Sequence, residues 1–101
     1  MNRETLVAFF DNVDEDKRAL AIDTIDEYIF FKSKIDELKQ LPLIRISKSD
    51  PAKQQLTPAA KLIKEYSQIM DAKRATLLRI LYRVESSAAD ELLAKLSEFE
   101  E

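Results

Sequence analysis

The side chains that could do chemistry in this sequence are carboxylates and amines. Acids gather at Asp11, Asp14, Glu15 and Asp16, and again at Asp23, Asp26 and Glu27. A metal ion held by oxygen ligands is the chemistry such groups could supply. Their positions suit a simpler role. The first group precedes an apolar run, where acids cap a helix and meet the positive end of its dipole. The second forms the polar flank of that helix. The chain has no His and no Cys, which excludes the common acid–base, nucleophilic and zinc constellations. It has no Gly either, which excludes a phosphate-cradling P-loop. The expectation is a protein that is not an enzyme and needs no cofactor or metal.

The amines are more suggestive. Residues 1–31 carry 3 basic and 8 acidic side chains, residues 32–83 carry 12 and 5, and residues 84–101 carry 1 and 6. A chain of net charge −3 therefore has a basic middle between acidic ends. Arg45, Lys48 and Lys53 lie between Pro42 and Thr57, and Lys61 and Lys64 follow Thr57-Pro58. By helical rotation, Lys61, Lys64, Arg79 and Arg83 face away from the apolar side of their helix. One reading is a solvated face neutralised by the acidic ends. The other is a stripe that contacts phosphates, with Arg45, Lys48, Lys53, Lys61 and Lys64 as the nucleic-acid-binding residues. No aromatic interrupts the stripe, so stacking on single strands is not expected. No helix-turn-helix is evident.

The elements that position these residues are helices. The expected fold is all-α, a single domain over residues 1–101, with two long antiparallel helices, short N- and C-terminal helices, and an extended linker between the long pair. A short helix capped by Asn2 opens the chain with Leu6, Val7, Phe9 and Phe10. Asn12 with Glu15, or Asp14 alone, caps a second helix to about Gln40, where Pro42 stops it. Leu43–Ser47 alternates loosely and has no obvious partner, so it reads as a linker or one edge of a minor ribbon. Thr57-Pro58 is a strong helix start for a third helix to about Val84. Ser86 or Ser87 caps the last helix, Ser87 with Asp90 forming a capping box.

The third helix carries a seam of Ile63, Tyr66, Met70, Lys73, Leu77, Ile80 and Val84, at the alternating spacing of three and four typical of a coiled coil. Only Lys73 breaks it. With Leu62, Ile69, Leu78 and Leu81 beside it, the apolar arc is wider than one neighbour covers. The second helix is apolar almost all round at Ile29-Phe30-Phe31. Either the terminal helices cover these surfaces in a four-helix fold, or part is a subunit interface built from Ile29, Phe30, Phe31, Ile63, Tyr66, Met70 and Leu77. No run approaches the length of a membrane span, and Met1-Asn2-Arg3-Glu4 lacks a signal-peptide layout, so no membrane partner is expected.

Several stretches resemble small subunits of bacteriophage terminases: Asp14-Glu15-Asp16-Lys17, Tyr28-Ile29-Phe30-Phe31, Ile35-Asp36-Glu37-Leu38, and Leu41-Pro42-Leu43-Ile44-Arg45-Ile46. Lys53-Gln54-Gln55-Leu56-Thr57-Pro58-Ala59-Ala60-Lys61 and Glu65-Tyr66 continue the likeness, which covers about residues 10–82. The resemblance implies a DNA-packaging component, encoded by a phage or prophage and present in the bacterial cytoplasm. It also implies a homo-oligomer that meets double-stranded DNA and delivers it to the terminase large subunit. This chain departs from many relatives in starting directly at a helix, without a basic tail, and in showing no usual DNA-binding module. The alternative is a helical oligomeric adaptor with no nucleic-acid role.

Overall fold

A computed structural model describes residues 3–42, 44–46 and 54–100. The protein is helical, with α1 Arg3–Ala8, α2 Glu15–Leu38, α3 Pro58–Tyr82 and α4 Ser86–Glu100. The remaining regular structure among the described residues is a ribbon of β1 Ile44–Ile46 and β2 Gln54–Leu56. The ribbon is antiparallel, with Ile44 opposite Leu56 and Ile46 opposite Gln54. β1 thus has the partner strand that the sequence did not suggest. Gln54-Gln55-Leu56 has none of the β-branched residues that favour strands; closure of the chain between two helices brings it alongside β1.

Contacts between the long helices run in opposite order. Glu27 on α2 meets Lys73 on α3, Phe31 meets Tyr66, and Pro42 beyond α2 meets Thr57 before α3. Thr57 sits at the N-cap with an extended backbone and accepts a 3.3 Å bond from the Ala60 amide, with Pro58 next in line. Its hydroxyl also donates to the Pro42 carbonyl at 2.6 Å. One side chain therefore starts α3 and ties its start to the exit of α2.

Two capping expectations are corrected. Asp14 occupies the N-cap of α2, but its side chain makes no capping bond, and Asn12 stands outside the helix. Ser86 and Ser87 lie inside α4. Ser87 donates to Glu85 at 3.0 Å, and Asp90 accepts from the Tyr82 hydroxyl at 2.9 Å, so no capping box forms there. The Asn2 cap lies outside the described residues.

Packing divides the molecule along its length. Leu6, Phe10, Ala21, Ile25, Tyr28, Leu77, Ala89, Leu92 and Leu96 are all fully buried. They come from all four helices and the turn after α1, and they form a head. Each large side chain buried this way contributes roughly 1.5–3 kcal/mol. Thr24 is the one buried polar residue among those described; it donates to the Leu20 carbonyl at 2.7 Å. Farther along, only α2 and α3 continue, as a two-helix stalk that ends at the ribbon. Its interior is thinner: Ile35, Met70 and Ala59 are buried there, none completely. The result is a rod of 60 × 20 × 20 Å with a radius of gyration of 17.3 Å, against about 13 Å for a compact domain of this length.

Candidate subunit and nucleic-acid interfaces

The stalk carries a row of aromatic rings. Phe30 and Phe31 meet edge-on at 5.4 Å between centroids, and Phe31 meets Tyr66 at 5.3 Å. The Lys34 ammonium lies 5.5 Å from the Phe30 centroid, a cation–π arrangement. Phe30 keeps 53% of its surface exposed, whereas Ile29, Phe31, Ile63 and Tyr66 are half-buried against the core. Met70 and Leu77 correct the expected interface. They are 4% and 0% exposed, so the chain's own helices use their surface and none is left for a partner. Exposed Leu20, Leu41 and Leu62 were absent from that set; no periodicity rule separates a half-covered Leu from a covered one.

Lys73, the break in the seam, reaches across the hairpin to Glu27 at 2.5 Å. The cation lies at the edge of the helix pair, where its stem packs and its charge is neutralised. This bridge also defines the two sides of the hairpin. α1 reaches α2 at Asp26 through Arg3, the turn after α1 reaches Arg18 through Asp11, and α4 reaches α3 at Tyr82. At about 100° per residue Arg18 lies opposite Glu27 and Tyr82 lies opposite Lys73, while Asp26 lies about 140° from Phe31 and about 40° from Phe30. Both short helices therefore lie away from the Glu27–Lys73 edge of the hairpin, which neither of them covers; Phe30 stands at the rim of that edge, one turn past Asp26, and Leu20, Phe30 and Leu62 stay exposed.

On the covered side, beyond the short helices, a shallow cleft between α2 and α3 is lined by Lys32, Ile35, Lys39, Ser67, Met70 and Asp71. Two of its charges are engaged: Lys32 pairs with Asp36 at 2.7 Å and Asp71 with Arg74 at 3.1 Å.

Of the expected nucleic-acid-binding residues, Lys61 and Lys64 are exposed in the first two turns of α3. Arg45 lies on β1, while Lys48 and Lys53 lie outside the described residues. The start of α3 is less open to phosphate than its dipole suggests. Pro58 has no N–H, the Ala60 amide is taken by Thr57, and the Lys61 amide bonds the Thr57 carbonyl at 3.2 Å.

Elsewhere two contacts between ionisable groups tie helices together. Arg3 holds Asp26 at 2.5 Å; that hydrogen bond draws the Asp26 carboxyl below the ordinary carboxylate range and raises the Arg3 guanidinium. The bond to Asp90 raises the Tyr82 phenol. Among the described residues, no three acids gather as a metal site requires, and no helix is long and apolar enough to cross a membrane. No protein-family model, curated protein or solved structure matches the chain.

Proposed function

We propose that this protein is a non-enzymatic DNA-packaging component of the terminase-small-subunit kind, which self-associates through its helical stalk and contacts duplex DNA near the ribbon end. The observation that carries this reading is the two-part rod. The two long helices act as an antiparallel hairpin, held at one end by an acidic helical head. At the other end Lys61 and Lys64 are exposed beside the ribbon, and the uncovered aromatic side lies between. The likeness to terminase small subunits over residues 10–82 supports the packaging role and a large subunit as the downstream partner. Contacts through Lys61, Lys64, Arg45, Lys48 and Lys53 go to phosphates, so they position the protein and read no bases. The bacterial cytoplasm is the compartment this role requires.

A second reading, a helical adaptor without DNA, is favoured by the net charge of −3 and by the occupied amides at the start of α3. Binding to duplex DNA at two salt concentrations separates them. Wild type should bind at low salt and lose affinity steeply as salt rises, because each neutralised phosphate releases a counterion. Lys61→Glu with Lys64→Glu, and separately Arg45→Glu with Lys48→Glu and Lys53→Glu, should abolish binding. Equal binding by wild type and both variants removes this site, and no binding by wild type leaves the adaptor.

A further inference from the structure

The uncovered side of the hairpin has an occupant that the molecule itself suggests. A compact monomer of 11.7 kDa exposes about 5,900 Å², whereas this chain exposes 6899 Å². The excess, about 1,000 Å², is close to the roughly 800 Å² that each partner gives to a standard interface. The excess follows from the 60 × 20 × 20 Å shape, along which Leu20, Phe30 and Leu62 stay exposed.

Charge indicates how a second copy would lie there. Residues 3–31 and 73–100, which form the head and its flank, carry 8 basic and 13 acidic side chains. Residues 32–42, 44–46 and 54–72, which form the stalk and the ribbon, carry 6 basic and 4 acidic. The rod is negative at one end and positive at the other. Two such rods side by side repel when parallel and attract when antiparallel. The position of the rings fits the second arrangement. Phe30 lies 15 residues after the start of α2, about 23 Å along it at 1.5 Å per residue, in a molecule 60 Å long. An axis of twofold symmetry through the rings therefore overlaps the two rods over about three quarters of their length, with the head of each beside the ribbon end of the other.

We propose that two copies pair in this way, antiparallel and isologous, through the Phe30–Phe31–Tyr66 side of the stalk. The proposal rests on the self-association in the reading above and names its partner and direction. Each Phe30 packs against the apolar side of the opposite stalk, between Leu20 toward the head and Leu62 toward the ribbon. The Lys34 and Lys73 stems border the contact.

The chain has no Cys, so single Cys residues can be labelled without background. Light scattering sets the stoichiometry, and spin-label distances set the direction. Ala19→Cys lies 11 residues before Phe30 and Gln40→Cys 10 residues after it, both exposed. In the antiparallel pair, both Ala19→Cys labels and both Gln40→Cys labels stand more than about 30 Å apart by helical rise. Phe30→Asp should give a folded monomer by circular dichroism, with the distance signal gone. Leu62→Asp, also on the uncovered side, should do the same if the first variant fails to fold. A wild-type monomer at high micromolar concentration overturns both this proposal and the self-association it rests on. An oligomer with both label pairs closer than about 20 Å, or one that survives Phe30→Asp or Leu62→Asp, overturns the antiparallel pairing alone.

Discussion

Leu77 and Leu93 are the same residue type on neighbouring helices, and the fold uses them differently. Leu77 is fully buried in the head, whereas Leu93 is 39% exposed on α4. Leu77→Ala should cost about 2–5 kcal/mol, the transfer term plus the cavity, and Leu93→Ala less than about 1 kcal/mol. Urea titration of both variants checks the contrast; equal losses would mean that the head is not the core. The Arg3–Asp26 bridge bears on pH instead. Asp26 titrates below its ordinary value when folded, so its contribution is complete above the usual carboxylate range. It is lost as pH falls through the lowered folded value. Arg3→Ala should therefore destabilise slightly at neutral pH and not at all in strong acid. Thermal melts across that range test the sign. The effect is small because both partners are about half exposed.

At the scale of elements, the joint between the long helices depends on Thr57. Its hydroxyl both caps α3 and bonds Pro42, so removing it loosens the helix start and the ribbon together. Thr57→Ala should cost about 1 kcal/mol, as a lost N-cap does. It should also speed amide exchange at Gln54–Leu56, whereas Thr57→Ser should retain most of both. This joint was legible in the sequence, because Thr-Pro before an apolar run has one strong local meaning. The long helices were legible for a similar reason: their periodicity extends over many turns. The ribbon was half legible. Ile44-Arg45-Ile46 looks extended by itself, but its partner is made by chain closure, a tertiary effect without local signature. The caps of α2 and α4 misled because Asn12 and Ser87 each fit a motif that the chain resolves with other partners. Met70 and Leu77 misled as interface residues for another reason. A seam shows which residues face an apolar neighbour, not whether that neighbour belongs to the same chain. Lys73 carried the missing clue, since a lysine in a seam implies an acid across from it, and Glu27 is that acid.

At the scale of the whole molecule, the separation of charge along the rod links the proposed pairing to the proposed DNA contact, and the linkage can be tested. Asp23 lies 14 residues before residue 37, the level of Lys61, about 21 Å away at helical rise. At about 0.1 M salt the Debye length is about 10 Å, so in a single rod Asp16 and Asp23 barely affect DNA held near Lys61. The antiparallel pair changes this distance. With the axis at Phe30, the partner's Asp23 comes level with residue 37. On α3 that is the level of Lys61, given that Phe31 meets Tyr66 and Glu27 meets Lys73. The partner's Asp16 comes level with β1. In the pair these carboxylates compete with phosphate for the same cations. Asp16→Asn with Asp23→Asn should therefore strengthen duplex binding several-fold in the otherwise wild-type protein. In the Phe30→Asp background, where rods are single, the same two substitutions should leave affinity unchanged. An equal gain in both backgrounds would trace the effect to net charge alone and remove the pairing from the explanation. No gain in either would place the head of one copy away from the ribbon end of the other.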